Sequence, residues 1–69
     1  MSTAETIKKL RRTLCITQKE MSEEIGVTIS TISCYEVGRR LPSYPTVRKI
    51  IALAKKYNIN ISLDDIRPE

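Results

Sequence analysis

The side chains here that could do chemistry are few, and their types exclude most of it. There is no histidine, and the two cysteines, Cys15 and Cys34, form no CxxC pair. A structural zinc would lack ligands, and two isolated thiols make no disulfide framework. Both read as free thiols in a reducing compartment. No nucleophile sits beside a base, no glycine loop could cradle a phosphate, and the chain is too short to close a pocket. No enzyme activity, metal or cofactor is expected. What remains is non-covalent chemistry. Hydroxyls at Thr28, Ser30, Thr31 and Ser33 stand between the amide of Gln18 and the paired guanidinium groups of Arg39 and Arg40. The formal net charge is +4, with a pI near 9.3. That balance suits phosphate; a solvated, lysine-rich surface is the plain alternative.

A very small fold must hold these groups. With 69 residues, 41% of them hydrophobic and 29% charged, the chain reads as a single domain spanning 1–69. A chain of this size buries only about 60% of the surface its unfolded form exposes, so its core must be economical or shared with a second subunit. Two Gly and three Pro leave room for uninterrupted helices. No apolar run approaches the ~20 residues needed to span a bilayer, and Lys8-Lys9 and Arg11-Arg12 break any signal-like stretch near the N-terminus. The basic residues are not gathered opposite one broad apolar face, which argues against membrane-surface binding. The expectation is a cytoplasmic, nucleoid-associated protein.

The pattern predicts a compact all-α bundle of about five short helices. Ser2 and Glu5 have capping-box spacing, and the helix they open carries Ile7, Leu10 and Leu14 on one face. Thr17 and Glu20 repeat that spacing. Met21 and Ile25 follow as an apolar stripe, and Gly26 closes the segment as a residue able to take positive φ. Thr28 opens a third helix with Ile32 and Tyr35 inward and Gly38 at its end. Arg39 to Pro45 reads as a loop. Pro45 or Thr46 starts a fourth helix whose repeat is Val47, Ile50, Ile51, Ala54 and Tyr57, with Asn58 as its stop. Ser62 could cap a last short helix through Leu63, Asp64, Asp65 and Ile66; an alternating edge strand over 59–63 is the alternative.

Two helices joined by a glycine turn form the motif whose second helix enters a DNA major groove. It needs apolar residues at Met21, Ile25, Ile32 and Tyr35, a small residue where the helices meet, here Ser22, and a turn residue tolerant of left-handed backbone, here Gly26. The run TQKEMSEEIGVTISTISCYEVGRRLP, from Thr17 to Pro42, resembles the Cro and lambda-repressor family of helix-turn-helix proteins. The shared pattern is the Thr-Gln opening, Gly-Val, a polar patch, Ile, Tyr-Glu, Gly with basic residues, and Pro. The stretch 53–59 resembles that family's fourth helix. Three departures stand out. Cys15 and Asn58 occupy positions where the family uses glycine, and Ser43-Tyr44-Pro45 looks like an insertion. The resemblance implies a lambda-repressor-like fold and sequence-specific binding of double-stranded DNA by a transcriptional regulator, most simply a repressor. It also implies a structural pair between Arg11 and Glu36.

Advancing ~100° per residue from the buried Ile32 and Tyr35 turns Ser30, Ser33, Cys34 and Val37 outward. Thr28 and Ile29 lie at the tip. Thr28, Ile29, Ser30, Ser33 and Cys34 are therefore the expected base contacts. The hydroxyls would exchange hydrogen bonds with base edges, and Ile29 would cover a thymine methyl group. Cys34 could equally fill a half-buried gap, and Ile29 a core position. Gln18, Lys19, Thr31, Arg39 and Arg40 are expected on phosphates, Thr31 being peripheral to the base contacts. No Arg, Asn or Gln is available for bidentate base reading, so DNA shape and pairing of subunits should supply much of any selectivity. A homodimer is expected, with Leu63 and Ile66 in its interface. Two other readings share the fold. One is an antitoxin that binds a toxin protein and autoregulates its operon. The other is a protein-interaction module, to which Glu20, Glu23 and Glu24 lend weight.

Overall fold

The computed structural model describes residues 2–68. It is all-helical and holds four helices among those residues: α1 (Thr3–Thr13), α2 (Gln18–Ile25), α3 (Ile29–Glu36) and α4 (Tyr44–Lys56). Helix α1 packs on α3, and α2 packs on both α3 and α4. One apolar cluster fills the space between them. Its members are Ile7 and Leu10, Met21 and Ile25, Ile32 and Tyr35, then Val47, Ile50, Leu53 and Ala54, with Ile66 from the tail.

Helix starts follow local chemistry. The hydroxyls of Ser2 and Thr17 accept from the backbone N–H of Glu5 and Glu20, whose carboxylates accept from the cap backbone in return. These bonds to Ser2 and Thr17 hold both carboxyls below their ordinary range. Thr28 caps α3 by accepting from Thr31 N–H.

Helix ends share one geometry. Cys15, Gly26, Gly38 and Asn58 all have φ between 57° and 81°. At each end the following N–H reaches back five residues: Ile16 to Arg11, Val27 to Ser22, Arg39 to Cys34 and Ile59 to Ala54. This left-handed closure satisfies carbonyls the helix leaves open. At Gly26 the demand is conformational, because an added Cβ would meet only the tip of Lys49, at 3.9 Å. Cys15 adopts the same conformation with a side chain, at a cost of ~1–2 kcal/mol.

Four expectations are corrected. The fifth helix does not form: Leu63–Asp65 is a turn, and no strand appears at 59–63 among the described residues. The tail instead bonds to α1, Thr6 Oγ1 donating to Asp65 O (2.9 Å) and Arg67 N–H to Thr3 Oγ1 (2.8 Å). Those groups are thereby lost to an intrahelical ladder, and Pro68 follows immediately. Ile66, held between these bonds, is fully buried; it belongs to this subunit's core and not to a dimer interface. Ser43-Tyr44-Pro45 is not an inserted loop, since Ser43 is the N-cap of α4 and Tyr44 and Pro45 form its first turn, where proline is tolerated. Tyr57 stands half exposed and Leu53 fills the core instead, because α4 stops at Lys56 and the chain turns away.

Helices α1 and α3 are also joined by charge. Arg11 Nε donates to Glu36 Oε2 at 2.6 Å and Nη2 to Oε1 at 3.1 Å. The Glu36 side chain is 3% exposed and that of Arg11 20%. Burial pushes the Glu36 carboxyl up, but hydrogen bonds from Arg11 and Gln18, with the charges of Arg11 and Lys8, outweigh it and hold it below its ordinary 4.5.

Two predictions follow from this packing. Cys15→Gly, at an exposed site, should stabilise the fold by ~1 kcal/mol, which for a domain this small raises Tm by roughly 4–8 °C; calorimetry checks it. A carboxyl whose folded pKa is depressed contributes stability that is complete above the unfolded pKa and is lost as pH falls through the folded one. Stability should therefore be flat near neutrality and fall below about pH 4.5. Glu36→Met should reduce that acid sensitivity, leaving the part due to Glu5 and Glu20; a denaturation profile unchanged by the substitution would remove Glu36 from the explanation.

Candidate nucleic-acid interface

The turn from Gly26 to Thr28 delivers α3 with one side buried and the other open. Ile32, Tyr35 and Glu36 are buried. Thr28, Ile29 and Ser30 are exposed, and Thr31, Ser33 and Cys34 are half-buried. Val37, at the C-terminal end, is 66% exposed. Ile29 is 46% exposed, which removes it from the core and leaves an apolar side chain in water at the helix tip. Cys34 is half-buried, so the filler reading and the surface reading both apply to part of it.

Several hydroxyls on this face already have partners. Thr28 Oγ1 and Thr31 Oγ1 lie 2.8 Å apart, and Thr28 also caps the helix. These two can offer a ligand only their remaining hydrogen-bonding capacity and their methyl groups. Ser30 and Ser33 have no side-chain hydrogen bond among the described residues, and Ser30 is the more accessible. They are the freest polar groups on α3.

Two groups of donors lie beside α3. Gln18 and Lys19 are the first two residues of α2, and no intrahelical acceptor exists for their N–H groups. Thr17 N–H and Glu20 N–H are already taken by the capping box. The positive end of the helix dipole thus coincides with two open donors, an arrangement that favours an anion. Arg39 and Arg40 follow the C-terminal end of α3, the end at which Gln18 reaches Glu36. Both side chains are exposed, and the backbone N–H groups of both donate to Cys34 O, at 2.9 and 3.4 Å. Gly38, at φ 79°, turns the chain so that the arginines follow directly on the reading helix. A polar, open face with cationic side chains and open N–H donors beside it can accept a polyanion and exchange hydrogen bonds with the groups next to its charges.

Gln18 does more than sequence reasoning assigned to it. Its Nε2 donates to Glu36 Oε1 at 3.2 Å, joining the start of α2 to the Arg11–Glu36 pair. No local spacing signals this bond, since the partners stand at the far ends of two helices joined by a turn. Among the described residues no cluster of His, Cys, Asp and Glu could hold a metal ion, and no helix is long and apolar enough to cross a membrane.

Comparison with known proteins agrees with this geometry. A helix-turn-helix domain family matches residues 4–63, which takes in α2, α3, α4 and all of α1 but its first residue. An uncharacterized HTH-type transcriptional regulator of Bacillus subtilis (strain 168), YqaE, is 33% identical over 61 residues. The match covers 88% of this chain and 48% of that protein, so the chain spans about half the length of the curated relative. No solved structure matches significantly. With nearly the whole helical bundle inside the matched segment, the chain belongs to the helix-turn-helix domain family.

Proposed function

We propose that this protein binds double-stranded DNA sequence-specifically and regulates transcription, acting as a repressor, with α3 in the major groove. The observation that carries the reading is the outer side of α3, where Thr28, Ile29 and Ser30 are exposed, with donors at Gln18 and Arg39 beside the helix. In this reading Ile29, Ser30 and Ser33 meet base edges, with Thr28 and Cys34 beside them. Serine exchanges hydrogen bonds with several bases, and Ile29 suits a thymine methyl group. Gln18, Lys19, Arg39 and Arg40 hold phosphates, and Thr31 stays at the margin. The family match and the printed name of the B. subtilis relative support this reading.

A homodimer completes it, because one short helix reads few base pairs and two-fold pairing would set half-sites about 34 Å apart. With Ile66 in the core, the interface moves to α4. Tyr44 and Leu63 are each about half exposed and line one groove with Ile51 and Ile61. Arg48 and Lys55 border that groove and Asp64 adjoins Leu63, so a two-fold copy can set carboxylate against cation.

A second reading, a protein-interaction module, draws on a different face. Glu20 and Glu24 rim a groove of about 530 Å³ floored by Leu14, Ile16, Leu53 and Ile59. Binding that uses this groove would not depend on the arginines.

Titration of labelled duplex at several salt concentrations tests the proposal. Binding should weaken with a log–log slope of roughly −0.9 per phosphate contacted. Replacing Arg39 and Arg40 by alanine should flatten the slope by roughly two units; a flat response in the parent protein would favour the interaction module. For the dimer, Leu63→Asp should give a folded monomer in sedimentation experiments, whereas Ile66→Asp should lose the fold, because it buries a charge without a partner. A Leu63→Asp protein that still sediments as a dimer would exclude this face.

A further inference from the structure

We infer that Glu36 is a positioning residue for the phosphate contact of Gln18, so that the DNA-backbone grip of α2 is set by the reading helix itself. The inference rests on the proposed DNA-binding reading.

The geometry has four parts. Glu36 Oε1 accepts from Gln18 Nε2 (3.2 Å) and from Arg11 Nη2 (3.1 Å), while Oε2 takes Arg11 Nε (2.6 Å). Arg11 Nη1 also donates to Ile16 O at 3.2 Å, the last carbonyl before the α2 cap. One residue from each of α1, α2 and α3 thus meets at a single carboxylate. An ionised carboxylate only accepts, so the orientation of the Gln18 amide is dictated by its partner: nitrogen must face Glu36. The trigonal NH₂ group then directs its second hydrogen away from the carboxylate, while Gln18 and Lys19 contribute open N–H groups from the same helix end.

Three physical consequences follow. A glutamine side chain left free must lose its rotamer freedom on binding; one tethered to a buried group has already lost it on folding, so the contact is preorganised. A carboxylate behind a phosphate-binding amide would repel the phosphate if uncompensated. Here Arg11 neutralises it at bonding distance and Lys8 adds positive charge nearby. Finally, Glu36 lies on the same helix as Ser30 and Ser33, so the tether gives the phosphate grip and the base-reading face a common frame.

A double-mutant cycle on a labelled random-sequence duplex tests this, at a temperature where circular dichroism shows every variant folded. Gln18→Met and Glu36→Met should each weaken binding about three- to tenfold, the equivalent of one hydrogen bond. The double variant should bind no worse than Gln18→Met alone. A Glu36→Met loss of equal size in both backgrounds would show a structural role only and overturn the inference. If Gln18→Met leaves affinity unchanged, Gln18 holds no phosphate and the inference falls, while DNA binding through Arg39 and Arg40 survives. If the parent protein binds no duplex, the functional reading fails with it. Should Glu36→Met not fold, proton NMR of the parent protein replaces it. The Gln18 side-chain amide protons should shift as acid protonates Glu36, and resonances that stay fixed through that titration would refute the tether.

Discussion

The structure turns on a carboxylate that water hardly reaches. Glu36 stands on the last turn of α3 with its side chain almost wholly covered, and Arg11 of α1 meets it through two parallel N–H···O bonds. Such pairs add little net stability over well-packed apolar residues, yet removing one partner costs about 3–5 kcal/mol because it strands a buried charge. The two sides differ here. Arg11 is partly exposed and could rehydrate alone; Glu36 could not. In a chain of this size, whose total stability is on the order of 5 kcal/mol, that asymmetry ties α3 to α1 in one orientation. Apolar packing at Ile32 and Tyr35 would by itself permit small rotations of α3, whereas a bidentate pair does not.

Rotation matters because the other side of α3 is the open one. Among the described residues the Ser30 and Ser33 side chains have no hydrogen-bond partner, and Ile29 is exposed at the tip. In the proposed DNA-binding reading, a face made of hydroxyls and one aliphatic side chain, without Arg, Asn or Gln, has no single dominant contact. Its selectivity depends on holding several modest groups in register, which makes rigidity more important than in a face built around one bidentate arginine. The left-handed closures at Gly26 and Gly38 serve the same end. They stop α2 and α3 abruptly, and Gln18 and Arg39 both come to lie beside the C-terminal end of α3.

How much of this was legible in the sequence depended on distance along the chain. The capping boxes at Ser2–Glu5 and Thr17–Glu20 and the glycine closures were readable because both partners lie within one turn. The inward set on α2 and α3 was readable from helical period. Errors arose where a distant group competed. The tail lost its expected helix because Thr3 and Thr6 of α1, some sixty residues away, take its backbone groups, and this turned Ile66 from a presumed interface residue into core. Tyr57 was misplaced because the period was extended one residue past the helix end. The Gln18–Glu36 bond left no trace in local spacing, since neither residue is unusual where it stands. Cys15 in a glycine position was visible only through family resemblance.

The central claim is that the outer side of residues 28–37, with its cationic flanks, is the surface that meets DNA. Chemical-shift mapping of the labelled protein during duplex titration tests it most directly. The amides of Gln18, Lys19, Ile29, Ser30, Ser33, Arg39 and Arg40 should move together in a saturable way, while those lining the groove beside Glu24 and Leu53 stay still. Saturable shifts confined to that groove, or none on α3, would contradict it.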